Sequence, residues 1–333
     1  MSTLGQSVLT ILDHAKRLDP DGKIAAIAEL LSQTNGVLDD MLWKEGNLPT
    51  GHRTTVRTGL PTVAWRLLNQ GVTPSKSRTA QIDEQCGMLE AWSEIDVELA
   101  RLNGNDNAFR LSEGFAFIEA MNQEMAQTLF YGNAGVAPEE FTGLSIRYSS
   151  STANSGQNVI KAGGAGSDNS SIWLVAWGAN TVHGIFPKGS KMGLSHEDLG
   201  EETAETTAGL GGTRMRVLRD LWTWKAGIAL RDWRYVVRIC NIDISNLVAE
   251  SSAANLTKYM IRAIHRLPDM KLGRPVFYVN RTIAEMLDIQ RLNNVGTGGG
   301  LSYENVDGKW TPTFRGIPIR TVDALLETEA TVS

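Results

Sequence analysis

The sequence predicts an α+β protein in which one long helix precedes a strand-rich second half. Residues 107–131, NAFRLSEGFAFIEAMNQEMAQTLFY, align Leu111, Phe115, Ile118, Met121, Met125 and Leu129 on one helical stripe. Residues 171–245 then read mostly as strands, among them the apolar run SIWLVAW at 171–177. Glycine makes up 33 of 333 residues, above the usual ~7%, which favours hairpins and loops over a helical bundle.

The composition is that of a globular chain, 42% hydrophobic and 21% charged, long enough for one large domain or two smaller ones. A formal net charge of −5 argues against a duplex-gripping protein, which needs clustered Lys and Arg. Cys86 and Cys240 are isolated, without CxxC spacing, and read as small buried hydrophobes in a reducing compartment. The opening MSTLGQSVLTILDHAKRLD carries Asp13 in its apolar stretch and no basic leader, so no signal peptide is expected. No run of ~18 apolar residues offers a spanning helix, and synthesis and use in the cytosol are expected.

In chain order, residues 4–16 and 22–33 have helical spacing: Leu4, Val8, Ile11, Leu12 and Ala15, then Ile24, Ile27, Leu30 and Leu31. Pro20 and Gly22 separate two helices too short to stand alone, with Asp21 placed to cap the second. Residues 47–95 change character. Gly51, Gly59, Pro61, Gly71 and Pro74 interrupt any helix, while Val63, Trp65 and Leu67 alternate with Ala64, Arg66 and Leu68 as in a strand. A second extended stretch through Thr79–Ile82 completes a two-stranded excursion with its tip expected near Gly71–Lys76. A lone hairpin is marginal in water, so it should lie against a partner surface.

Charge is sorted along this region. From Asn47 to Ile82 there is no Asp or Glu, against Arg53, Arg57, Arg66, Lys76 and Arg78. From Asp83 to Glu140 only Arg101 and Arg110 oppose many carboxylates, including Glu90, Glu94, Glu98, Glu113, Glu119 and Glu124. Such blocks are complementary between copies of one chain, although each alone also reads as a solvated face. After the long helix, Gly132 is a stop signal and residues 151–171 form a polar Gly/Ser-rich loop. Strands at 171–177 and 180–186 follow, then a pair around LWTWKAGIALRDWRYVVRICNI expected to turn at Lys225–Gly227. The run 195–212 reads as a flexible acidic loop. A helix at 253–266, a buried strand at 275–280, a helix at 282–292, a Gly-rich run at 296–300 and a last strand at 316–322 close the chain.

Sites of chemistry are hard to find. His196-Glu197-Asp198 has suitable residue types, but consecutive residues rarely converge on one ion and HExxH spacing is absent. Ser145 and Ser195 lack a GxSxG elbow. GGAGS (163–167) and GTGGG (296–300) carry no GK[ST], and no GxGxxG turn links a strand to a helix. His14, His52, His183, His196 and His265 are scattered, and the nine tryptophans read as core and interface filling. No catalytic, cofactor or metal residue is assigned.

Several phrases in fixed order carry a family resemblance: LPTGHRTTVRTGLPTVAWRLLNQGV, the long helix, LFYGNAGVAPEEFTGLSIRYSS, AGIALRDWRYVVRICNI, GRPVFYVNRTIAEML and FRGIPIRTVDAL. Their most specific marks are Tyr131-Gly132-Asn133, Glu140-Phe141-Thr142-Gly143-Leu144 and Asp232-Trp233-Arg234-Tyr235. Across essentially its whole length the chain resembles the major capsid proteins of short-tailed double-stranded-DNA phages related to Bordetella and Salmonella podoviruses, of the Hong Kong 97-type fold. The resemblance implies an N-terminal arm at 1–46 and an extended loop at 47–95. It further implies a peripheral domain at 96–245 with its spine helix at 107–131, and an axial domain at 246–333.

The implied function is structural: self-assembly through pentamers and hexamers into an icosahedral shell that encloses the genome without sequence-specific binding, in the virion. Arg57, Trp65, Arg66, Lys76 and Arg78 are the candidate inter-subunit contacts. Some shells of this fold link Lys to Asn covalently; Lys76 lies near the loop tip, but no acceptor Asn or promoting carboxylate is identifiable and no link is expected. Segment 1–46 leaves no room for a fused scaffolding domain, so separate scaffolding or decoration proteins, and a portal, are expected partners. The alternatives are a cytosolic α+β enzyme, hydrolase-like and using Ser195 or His196, and another virion subunit such as a tail or connector protein.

Overall fold

The computed structural model describes residues 32–102, 106–205, 214–250, 254–293, 301–306 and 309–333. The helices expected at 4–16 and 22–33 lie outside these residues, apart from Ser32 and Gln33, which are not helical; so does the Gly-rich run 296–300. The first half contains α1 (Val37–Asp40), β1 (Trp43–Glu45), β2 (Gly51–Gly59), β3 (Arg78–Gln85), β4 (Gly87–Asp96), α2 (Val97–Arg101), α3 (Asp106–Tyr131) and α4 (Leu144–Arg147). Next come β5 (Val159–Lys161), β6 (Asn169–Trp177), β7 (Val182–Phe186), β8 (Leu194–Glu205), β9 (Arg214–Leu230) and β10 (Val236–Asp243). The last part holds α5 (Ile244–Val248), α6 (Leu256–Ile264), β11 (Arg274–Val279), α7 (Arg281–Asn293), β12 (Leu301–Val306), β13 (Lys309–Phe314) and β14 (Ile317–Thr321).

Two compact units interleave along the chain. The larger comprises Gly36–Gly87, Gln127–Met192 and Ala226–Ser333. Its sheet is built around β6, which pairs antiparallel with β10 on one side and with β11 on the other; β14 continues it parallel to β11. All nine residues of β6 are buried, as expected of a strand covered on both faces, and this is why Ile172–Trp177 read as an apolar run. Trp173 is its centre, with the rings of Phe130 and Tyr148 at 6.0 and 6.1 Å. β7 pairs parallel with β1 and antiparallel with the end of β9.

The smaller unit draws its described residues from 32–35, Met88–Ala126 and Gly193–Lys225. Ile95, Val97, Ala100, Phe109 and Leu218 form its core cluster. The side chain of Asp96 caps α2, accepting from the Glu98 amide at 2.8 Å.

The structure corrects four expectations. Of the run 195–212 expected as a loop, residues 206–212 lie outside the described residues and the rest is not a loop: Leu194–Glu205 form β8, laddered along β9 from Leu194↔Trp224 to Glu205↔Arg214. Their carboxylates face cations on the partner strand, Glu201 on Arg216 and Glu202 on Arg219, so acidity here reflects cross-strand pairing. The turn expected at Lys225–Gly227 is also absent, since β9 runs straight through it. Gly227 serves a close approach instead: a Cβ there would lie 2.7 Å from the Gln85 carbonyl oxygen. Val63–Leu68 form no strand, and the loop turns at Leu67–Gln70 rather than Gly71–Lys76, with Asn69 at φ +64° and the Gln70 amide on the Leu67 carbonyl at 3.2 Å. Finally, the hairpin β12–β13 precedes the expected last strand. Gly132 does end α3, at a non-positive φ, because a Cβ would come within 2.5 Å of the Phe141 carbonyl.

Candidate functional site

Two places in the molecule invite a functional reading: the long hairpin β2–β3 and the charged cluster on β8–β9. The hairpin is laddered from Gly51↔Gln85 to Arg57↔Thr79, with a register shift before Gly59↔Arg78. Its base is fixed within the larger unit. Arg147 grips Glu84 with both guanidinium nitrogens, at 2.7 and 2.6 Å, and also donates to the Thr142 carbonyl. Asn47 exchanges two hydrogen bonds with the Arg53 backbone, and Arg53 forks onto Asp83 at 2.6 Å, which holds that carboxyl below its usual range. His52 and His183 meet edge to face beneath it, ring centroids 5.9 Å apart. His183 is fully buried, with Lys44, His52 and Arg231 in range; burial first, then these cations, lowers its pKa to about 4. Among the described residues neither buried Nδ1 atom finds a hydrogen-bond partner.

Beyond the ladder the chain leaves the body. Residues 60–77 are all exposed and, among the described residues, are held to one another mainly by Ser75 Oγ donating to the Thr62 carbonyl at 2.7 Å. Trp65 is completely exposed, and Leu60, Val63 and Leu68 are more than four-fifths exposed. Monomeric proteins rarely leave so many large apolar side chains contiguous in water. The structure gathers all five sequence candidates here: Arg57 and Arg78 at the outer end of the ladder, Trp65, Arg66 and Lys76 beyond it. Among the described residues none of the four cations makes an ion pair, in contrast to Arg53.

The β8–β9 cluster has the makings of an acid–base site but the wrong arrangement. His196 Nε2 lies 2.8 Å from Asp220, stacked on Trp222 at 4.2 Å, and Arg110 bridges Asp220 and Asp198 at 2.6 Å each. Ser195, its neighbour along the strand, points to the opposite face and donates to the Thr223 carbonyl at 3.1 Å. Ser195 therefore does not stand beside the imidazole, and Asp220 is already engaged by Arg110. Ser145, the other serine considered, is buried at the start of α4. Among the described residues no group of three or more His, Cys, Asp or Glu could hold a metal ion. Both thiols are free, and burial pushes Cys86 up to about 11. The geometry here is that of a cross-strand salt-bridge network.

Residues 19–333 match the family model described as major capsid protein GP7. The chain belongs to the major capsid protein GP7 family. This capsid protein is also similar to a chain in the near-atomic structure of bacteriophage Epsilon15, 33% identical with a TM-score of 0.80, covering 100% of this chain and 99% of that one. Two further structures match more distantly. The bacteriophage JBD30 capsid gives 9% identity, a TM-score of 0.47 and coverage of 89% and 92%. The capsid of a native GTA particle gives 10%, 0.45, and 68% and 95%. No curated protein matches. The fold is the α+β Hong Kong 97-type capsid fold, and the function is to form the icosahedral shell of a phage virion.

Two features of this capsid protein escaped the sequence reading. The first is the His52–His183 pair, 131 positions apart, which only the strand order brings together. The second is Arg238 of β10, which pairs with Glu329 at 2.9 Å while each side chain is 5% exposed. Arg238 also donates to Ser171 Oγ and the Tyr148 carbonyl at 3.1 Å and lies over the Trp173 ring. Glu329 accepts from Ser171 and, at 2.5 Å, from the Tyr131 hydroxyl; burial and that carboxylate hold the Tyr131 phenol well above its ordinary range. A lone Arg inside the run VVRIC was the available signal, but nothing in the sequence named its partner.

Proposed function

We propose that the subunit is non-enzymatic, assembles in the host cytoplasm, and tiles through pentamers and hexamers by laying the outer half of its hairpin on a neighbour. In this reading residues 1–46 are the arm, 47–95 the extended loop, 96–245 the peripheral domain with its spine helix, and 246–333 the axial domain. The observation that carries the reading is the exposure of Leu60, Val63, Trp65 and Leu68 beside four cations that make no ion pair among the described residues. The acceptor is an acidic surface of another copy; Glu90, Glu98 and Glu124 are exposed there. Each exposed ion pair is worth only about 0–1 kcal/mol, but contacts repeated over every copy become effectively permanent once closure makes them intramolecular. Separate scaffolding, decoration and portal proteins complete the particle, and the net charge of −5 suits a wall that encloses DNA without adhering to it.

Hydrogen–deuterium exchange tests this directly. The amides of Val63–Leu68, outside any ladder, should exchange fast in free subunits and slowly in shells. Those of β3 near Glu84 should be protected in both states. Equal exchange of 63–68 in the two samples would remove the reach-over contact, even if shells still formed.

A further inference from the structure

With the shell read as the wall around the genome, we propose that the outer face of α6 touches the phosphates of the enclosed duplex DNA without reading its sequence. This helix has two unlike faces. Leu256, Met260, Ala263 and Ile264 are buried, whereas Lys258 and Arg262 are exposed. The two cations are four residues apart, about 6 Å along the axis. Arg266, also exposed, follows four residues on, in the turn that ends the helix, with its amide on the Ala263 carbonyl at 3.1 Å. Lys161, exposed at the end of β5, adds a fourth cation. It lies between Val159 and Ala162, whose carbonyls accept from Arg266 and from the Tyr259 hydroxyl at 3.1 Å each.

The subunit does not answer this charge. Among the described residues none of the four cations makes an ion pair, whereas Arg147, Arg219, Arg238 and Arg281 each meet a carboxylate. Like charges four residues apart on a helix repel. Burial and the Arg262 charge together hold the Arg266 guanidinium below its ordinary range. The array is ordered all the same: Arg262 lies over the Tyr259 ring at 5.7 Å, and Arg266 donates to the Gln157 and Val159 carbonyls. Crowded, ordered cations without a counter-charge suit an external polyanion. Its kind follows from the rest of the face, because no large apolar side chain of α6 is exposed. A protein partner would want such an anchor, and the hairpin has one in Trp65. Surfaces that meet DNA are instead polar and basic, and a duplex offers one charge per ~1.7 Å of its axis. Three or four phosphates per subunit make a weak, salt-sensitive touch, compatible with a net charge of −5.

Fluorescence anisotropy of a short labelled duplex tests this on the full chain carrying Arg57→Glu, Arg66→Glu, Lys76→Glu and Arg78→Glu, so that the hairpin cations do not hold the probe. The logarithm of affinity should fall with the logarithm of salt at a slope of about −3. Adding Lys258→Gln and Arg262→Gln, both exposed, should weaken binding about tenfold at low salt and flatten the slope by about 2. In DNA-filled particles with the natural hairpin, formaldehyde should join Lys258 to DNA. Equal affinity and slope with and without the two glutamines would overturn the proposal. So would filled particles in which Lys258 gives no DNA cross-link, which would place α6 away from the genome. Polyglutamate bound as tightly as the duplex, and lost equally in the variant, would also overturn it and assign the face to an acidic protein segment.

Discussion

Arg238 and Arg66 are chemically identical and live in opposite circumstances. Arg238 is sealed in the larger unit with a carboxylate, a hydroxyl, a carbonyl and an indole ring around it. Arg66 stands in water on the outer hairpin with no ion partner among the described residues. A buried guanidinium must have its partners inside the subunit, because the cost of removing its charge from water is several kcal/mol. An exposed one has no such demand and is free to find partners on another copy. The contrast separates a residue that the subunit's own fold requires from one that the proposed function assigns to contacts between subunits.

The largest effect should come from breaking the sealed pair. Glu329→Ala leaves Arg238 charged and unpartnered, and should lower unfolding free energy by about 3–5 kcal/mol in urea titration of free subunits. Arg238→Met combined with Glu329→Leu should recover most of that loss; a single change costing under ~1 kcal/mol would show that the charge is not truly buried.

An intermediate effect belongs to the histidine under the hairpin. His183 is held neutral in the fold, with its pKa lowered from 6.5 to about 4. The unfolded chain therefore binds the proton more readily between these values. The stabilisation is complete above about pH 6.5 and is lost as pH falls toward 4, on the order of 3 kcal/mol. Urea midpoints of wild type and His183→Phe, compared at pH 7 and 4.5, should show a shallower acid loss in the variant. Parallel loss in both would place the acid sensitivity elsewhere.

The smallest effect on the subunit is expected at the hairpin. Reversing Arg57, Arg66 and Arg78 to Glu should change unfolding free energy by no more than about 0.5 kcal/mol, yet abolish stable shells in gel filtration and negative-stain images at low salt. Normal particles from that triple variant would end the charge-complementarity argument.

The long helix was legible because its stripe is regular over the 19 residues from Leu111 to Leu129, and β6 because Ile172–Trp177 of this strand, buried on both faces, are all apolar. The hairpin was legible as an interruption rich in Gly and Pro, but its Val63–Leu68 alternation misled. Alternation marks a strand only if some partner supplies hydrogen bonds, and among the described residues none pairs with 63–68. β8 was illegible for the converse reason: SHEDLGEETAE looks like a solvated loop until Arg214, Arg216 and Arg219 stand across from it. The five candidate contacts were marked in the sequence by charge sorting and by the Val63–Leu68 alternation that carries Trp65. The buried arginine and histidine pairs could not, since each joins residues far apart in sequence.

The separation of Arg238 from Glu329 along the chain also has a consequence in time. Their pairing, and with it the neutralisation of the buried guanidinium, waits until residue 329 has been added, 91 positions after Arg238. Chains grow at about 5–20 residues per second and domains usually fold as they emerge. For roughly 5–18 s, then, the strand β10 carries a cation whose carboxylate partner has not yet been made, and the core around Trp173 cannot close over it without the cost of an unpaired buried charge.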